Sequence, residues 1–144
     1  MMSPGPPQVF VHNRQRKILL DESALQDFAR RALPLCAKER GSGLTNLQEV
    51  HVILISDRRM SALHRRFMQI TGPTDVITFD HGEIFISVET ARRQARSYRK
   101  SLGHELRLYL VHGLLHLRGF EDATPAARRR MERAQEHIVR QAST

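Results

Sequence analysis

The sequence predicts an α/β (α+β) fold, a small mixed β-sheet of about four strands packed with about five helices around one buried central helix. Three observations carry that expectation. Short apolar runs of strand type fall at 9–13, 50–55, 76–79 and 83–87, and the segments between and after them space their apolar residues as helices do. The last two runs are separated only by Asp80-His81-Gly82, a loop suited to an antiparallel hairpin, so the sheet cannot be wholly parallel. From about Gly103 to Arg118 the chain is apolar almost all round, as a buried helix must be.

Composition narrows the class. At 144 residues the chain is long enough for a real core, and the expectation is one domain over 9–144 behind a disordered lead-in at 1–8 containing Pro4, Gly5, Pro6 and Pro7. The lone Cys36 excludes an intramolecular disulfide and suits a reducing compartment. No stretch of about 18 apolar residues exists to span a membrane. The start of the chain lacks the basic and apolar regions of a signal peptide, so a cytoplasmic protein is expected. Lys and Arg number 23 against 15 Asp and Glu, a net +8, which points to a polyanionic partner, nucleic acid before membrane.

Each element has its own justification. Val9 to Asn13 reads as a first strand. Asp21 or Ser23 caps a helix with Leu25, Phe28, Ala29, Ala32 and Cys36 on one face, which Pro34 should bend or shorten and Gly41-Ser42-Gly43 should end. Val50 to Ile55 is apolar on both faces, with His51 a packed residue rather than a ligand. Ser56 caps a helix whose inward stripe is Met60, Leu63 and Phe67 and whose outward face carries Arg58, Arg59, Arg65 and Arg66. A turn at 71–75 leads into the hairpin, with His81 solvated at its tip. Ser87 then caps a helix to about Lys100 that exposes Arg92, Arg93, Arg96 and Arg99. Thr124 and Pro125 open the last helix, with Ala127, Met131, Ala134 and Ile138 inward.

Chemistry concentrates at the end of the central helix, in His112-Gly113-Leu114-Leu115-His116-Leu117-Arg118-Gly119-Phe120-Glu121-Asp122. Histidines four apart leave one helix face together and can converge on one ion. Gly119 supplies the positive φ with which helices commonly stop, and the turned chain can return Asp122 towards both rings. Two imidazoles and a carboxylate leave room for water, as in a catalytic zinc site. The spacing also resembles the metzincin signature. Yet the residue after the first histidine is Gly113, where a zincin needs its glutamate base, so zincin proteolysis is disfavoured.

Two segments together resemble one family. The His112–Asp122 run resembles the HGxLHLxGYDH motif of the YbeY endoribonucleases, rRNA maturation factors of bacteria. Pro73-Thr74-Asp75-Val76-Ile77-Thr78-Phe79 resembles their PTDVLSF motif, and Gly82-Glu83-Ile84-Phe85-Ile86-Ser87 their GDIxIS strand. The resemblance implies a zinc-dependent, single-strand-specific endoribonuclease in 16S rRNA 3′-end maturation and ribosome quality control. Its partners would be rRNA, the small ribosomal subunit and assembly factors. One Zn²⁺ would sit on His112, His116 and Asp122, which would also be the catalytic set. Phosphates would be held by basic helices, with Arg59, Arg65, Arg66, Arg92 and Arg96 as candidates.

The chain departs from the pattern twice. Asp122 stands where the family has a third histidine, and a negative ligand lowers the charge left to acidify water. Met68 stands where the family's LNxxYR segment has its arginine, and a thioether cannot clamp phosphate. Two alternatives follow: a non-catalytic assembly factor with a residual metal site, or a zinc-dependent peptide hydrolase.

Overall fold

The computed structural model describes residues 7–41, 43–68 and 75–143. Of the lead-in expected at 1–8, residues 1–6 lie outside the described residues, while Gln8 already belongs to the first strand. Residues 71–74 of the expected 71–75 turn and the Met68 side chain also lie outside them. In order come β1 (Gln8–Asn13), α1 (Glu22–Ala37), a short 3-10 turn (Gly43–Asn46), β2 (Glu49–Ile55), α2 (Asp57–Met68), β3 (Val76–Phe79), β4 (Glu83–Ser87), α3 (Val88–Ser97), α4 (Leu102–Arg118) and α5 (Pro125–Ala142). The mixed α/β class is as expected. The sheet runs β1-β2-β4-β3, with β1 and β4 parallel to β2 and the edge strand β3 antiparallel to β4.

Side-chain alternation divides the sheet into two unequal faces. Val50, Val52, Leu54, Ile84 and Ile86 are fully buried and share one core with α1, α4 and α5. Ile55 and Ile77, on the other face, form a smaller cluster with Met60 of α2, and Ile53, Phe79 and Phe85 pack against it. That face is covered only in part. His51 keeps 35% of its side chain exposed and bonds to the His12 ring at 2.8 Å and to Glu49 at 2.9 Å. The two faces of β2 are therefore not equally closed, and the ring expected to be packed is only partly covered.

The helix boundaries follow local chemistry. Asp21, not Ser23, caps α1 by accepting from the Ala24 N–H at 2.9 Å. Pro34 does not shorten that helix, which continues to Ala37. Ser87, Ser101 and Thr124 cap α3, α4 and α5 in the same way. Helix α3 ends at Ser97, short of Lys100, because Arg99 takes φ 55° and the Lys100 N–H returns to the Ala95 carbonyl at 2.8 Å. Phe67 corrects the expected inward stripe of α2. It is 54% exposed, because the last turn of α2 reaches the sheet at its edge strand, where Phe67 meets Phe79 edge to face at 5.3 Å.

Close backbone approaches hold α4 in place. A Cβ on Gly113 would lie 2.6 Å from the Ile84 side chain, so α4 rests directly on β4 at the level of His112. Nor do Gly41 and Gly43 stop α1. They press against the last carbonyls of α4, where a Cβ would come within 2.0 Å of the Arg118 oxygen and 1.8 Å of the Leu117 oxygen. Arg118 Nε donates to the Glu39 carbonyl at 2.9 Å and ties the same loop to the helix end.

Gly43→Ala forces two backbones apart with no side chain free to yield. It should cost about 1–3 kcal/mol of stability. Urea unfolding read by circular dichroism checks this, and an unchanged midpoint would show that the loop does not clamp α4.

Candidate metal centre

Helix α4 presents His112 and His116 on one face, one turn apart, with the rings edge to face at 4.5 Å. Gly119 ends the helix at φ 116°. Its N–H returns to the His116 and Leu115 carbonyls, and the Phe120 N–H reaches the Leu115 carbonyl at 2.9 Å. This left-handed stop, forecast from the glycine, reverses the chain. It delivers Asp122 Oδ2 to 3.9 Å from His112 Nε2 and 3.8 Å from His116 Nε2.

The hydrogen bonds decide which nitrogens face inward. His116 Nδ1 lies 3.0 Å from the Phe120 carbonyl, which can only accept, so Nδ1 carries the proton. His112 Nδ1 donates likewise to Oε1 of Gln135 on α5 at 2.9 Å. In their neutral forms the two rings therefore turn bare Nε2 lone pairs towards each other at 3.0 Å. Two lone pairs so close repel unless a cation lies between or beside them.

The donor set fits such a cation. His112, His116 and Asp122 each offer one donor atom, all within 4.8 Å of one another. Ligand bonds of roughly 2.0–2.2 Å at tetrahedral angles separate donors by about 3.3 Å, and the spacings here lie on both sides of that value. Burial, and next the neighbouring His116, hold the His112 pKa below 6.5; Gln135, Asp75 and Asp122 act in the opposite direction. A ring that resists protonation keeps its lone pair for a metal.

An open cleft of about 570 Å³ gives access to the site. Its lining joins His112, His116 and Asp122 to Asp75, Thr78 and Asp80 along the edge strand β3. Glu121 also lines it but lies outside the three-donor group. A zincin-type base has no place here. The Gly113 position abuts Ile84, so a glutamate side chain there would collide with β4.

Gln135 escaped the sequence reading. Its signal in the sequence is a polar residue at helical spacing beside the apolar stripe of α5, four residues after Met131 and three before Ile138. The arginines expected to hold phosphate are placed elsewhere. Arg59, Arg65 and Arg66 on α2 and Arg92 and Arg96 on α3 are all exposed, and none lines the cleft. Among the described residues no helix is long and apolar enough to cross a membrane.

Fold and site together define a class: an α/β sandwich whose central helix ends in an open three-donor group suited to a metal. A family model described as Endoribonuclease YbeY matches residues 10–143, and the chain belongs to that family. The Endoribonuclease YbeY of Pelotomaculum thermopropionicum is 32% identical over 91% of this chain and 94% of its own. That of an Anaeromyxobacter species is 39% identical over 64% of this chain, a match spanning only 53% of the relative. A solution structure from Thermotoga maritima shares the fold, at a TM-score of 0.65 and 23% identity over 93% of this chain and 88% of that one.

Two outcomes test the site. Gln135→Leu removes the acceptor that fixes the His112 tautomer and should weaken metal affinity about 10–100-fold in a chelator-dye competition, with helicity unchanged. Affinity equal to wild type would mean that the Gln135 contact is incidental. In metal-free protein the His112 ring should titrate below pH 6.5 by NMR, because its neutral form is favoured. The folded state then binds fewer protons than the unfolded chain, so stability should fall as pH drops below 6.5. A His112 midpoint above that value would contradict the burial argument.

Proposed function

We propose that this protein is a metal-dependent endoribonuclease acting on single-stranded rRNA, in 16S 3′-end maturation and ribosome quality control. The convergence of two lone pairs and a carboxylate in an open cleft, within a chain of this family, is the observation that carries the reading. Zn²⁺ is the ion that two imidazoles and a carboxylate suit best. When bound, it supplies Lewis acidity to a water or to a phosphate oxygen in the cleft.

The chain's own residues supply position. His112 and His116 are held in one tautomer by Gln135 and by the Phe120 carbonyl, so no reorientation is needed as charge develops. Asp122 contributes a negative donor in place of the family's histidine and lowers the net positive charge of the centre. In the proposed setting the enzyme works in the cytoplasm on the small ribosomal subunit with its assembly factors. A peptide hydrolase is not favoured, since Gly113 stands where a zincin carries its glutamate base. A non-catalytic assembly factor is not favoured either, in a family of endoribonucleases.

Asp122→Ala should lower cleavage of a single-stranded RNA oligonucleotide at least about 100-fold, with the fold intact. A gel assay with and without chelator, and a peptide substrate alongside, checks this. Cleavage that persists undiminished in chelator-treated Asp122→Ala would remove the proposal.

A further inference from the structure

Beside the metal cleft lies a second hollow of about 570 Å³, lined by Arg40, Arg130 and Arg133 together with Glu39 and Glu121. The two hollows share Gly119, Phe120 and Glu121 in their linings, so they adjoin at the turn that ends α4. Arg130 and Arg133 are one turn apart on α5, and Arg40 comes from the loop that clamps the end of α4. All three are exposed, and among the described residues none forms an ion pair. Three guanidinium groups against two carboxylates leave one positive charge in excess.

From this geometry we infer that the Arg40–Arg130–Arg133 hollow is the backbone subsite for the RNA segment flanking the cleaved bond. The inference rests on the endoribonuclease reading and gives the strand a path. A guanidinium without a carboxylate partner keeps its donors for phosphate oxygens, and three of them beside one hollow can hold successive phosphates of an extended chain. The strand leaves the metal cleft over Phe120, whose half-buried ring offers a base a stacking surface at the junction. These contacts read no bases, so the subsite supplies grip and direction, and sequence choice must come from elsewhere. The excess basic charge thus has a location at the site, partly on α5, whose arginines are not among the phosphate candidates read from the sequence.

The test measures binding apart from cleavage, with a fluorescein-labelled 2′-O-methyl RNA 12-mer, which resists hydrolysis, titrated by anisotropy at several salt concentrations. Replacing Arg40, Arg130 and Arg133 together by Ala should weaken binding tenfold or more near ~0.1 M salt and reduce the slope of log affinity against log salt by about 2. The same three positions as Lys should keep most of that slope, since the charge remains. A charge-matched control, Arg14→Ala with Arg16→Ala and Lys17→Ala in the exposed β1–α1 loop, should leave the slope as in wild type. An unchanged slope in the Arg40, Arg130 and Arg133 variant, or an equal loss in the control, overturns the inference. Cleavage of unmodified RNA by the wild type judges the nuclease reading separately. Binding that depends on the three arginines, without cleavage, would remove that reading and keep the subsite, and cleavage with binding independent of them would do the reverse.

Discussion

The two bonds made by Nδ1 of His112 and His116 govern the site. Each ring gives its proton outward, one to Gln135 and one to the Phe120 carbonyl, and so each must turn a bare Nε2 inward. Without those partners the rings could adopt either tautomer and the donor triangle would dissolve. The carbonyl that fixes His116 belongs to the turn that Gly119 creates, and that turn also carries Asp122 into place. One short reversal thus sets a ring, a lone pair and a carboxylate together.

That reversal is stable because the end of α4 is gripped from several sides. Gly113 lets the helix lie against Ile84, and Gly41 and Gly43 let a loop press on its last carbonyls. Arg118, itself buried, ties down the same loop. Such contacts come from residues distant in sequence, so site rigidity is a property of the packing of the whole α4 end rather than of the motif. The arrangement also explains the absent zincin base: the position that would carry it is spent on helix–sheet contact.

Much of this was legible in the chain. Gly119 as a helix stop, the i, i+4 histidines and the return of Asp122 followed from helix geometry, as did the 80–82 hairpin loop and the caps at Ser87 and Thr124. What stayed hidden depended on tertiary neighbours. Gln135 became a partner of His112 only once α5 packed beside α4, and Gly41 and Gly43 showed their use only against Arg118 and Leu117. Phe67 fitted the inward stripe by spacing, yet the edge of the sheet leaves it exposed. Arginine counts mark α2, α3 and α5 alike as basic, but a count cannot tell which helix stands beside the cleft. The Arg130 and Arg133 pair needed the fold to distinguish it.

Metal analysis of freshly purified protein by inductively coupled plasma mass spectrometry tests the central claim most directly. Convergent lone pairs completed by a carboxylate predict close to one divalent ion, zinc foremost, per wild-type chain and almost none in His116→Ala. Wild-type protein that arrives metal-free, takes up no added zinc and still cleaves RNA would contradict the account.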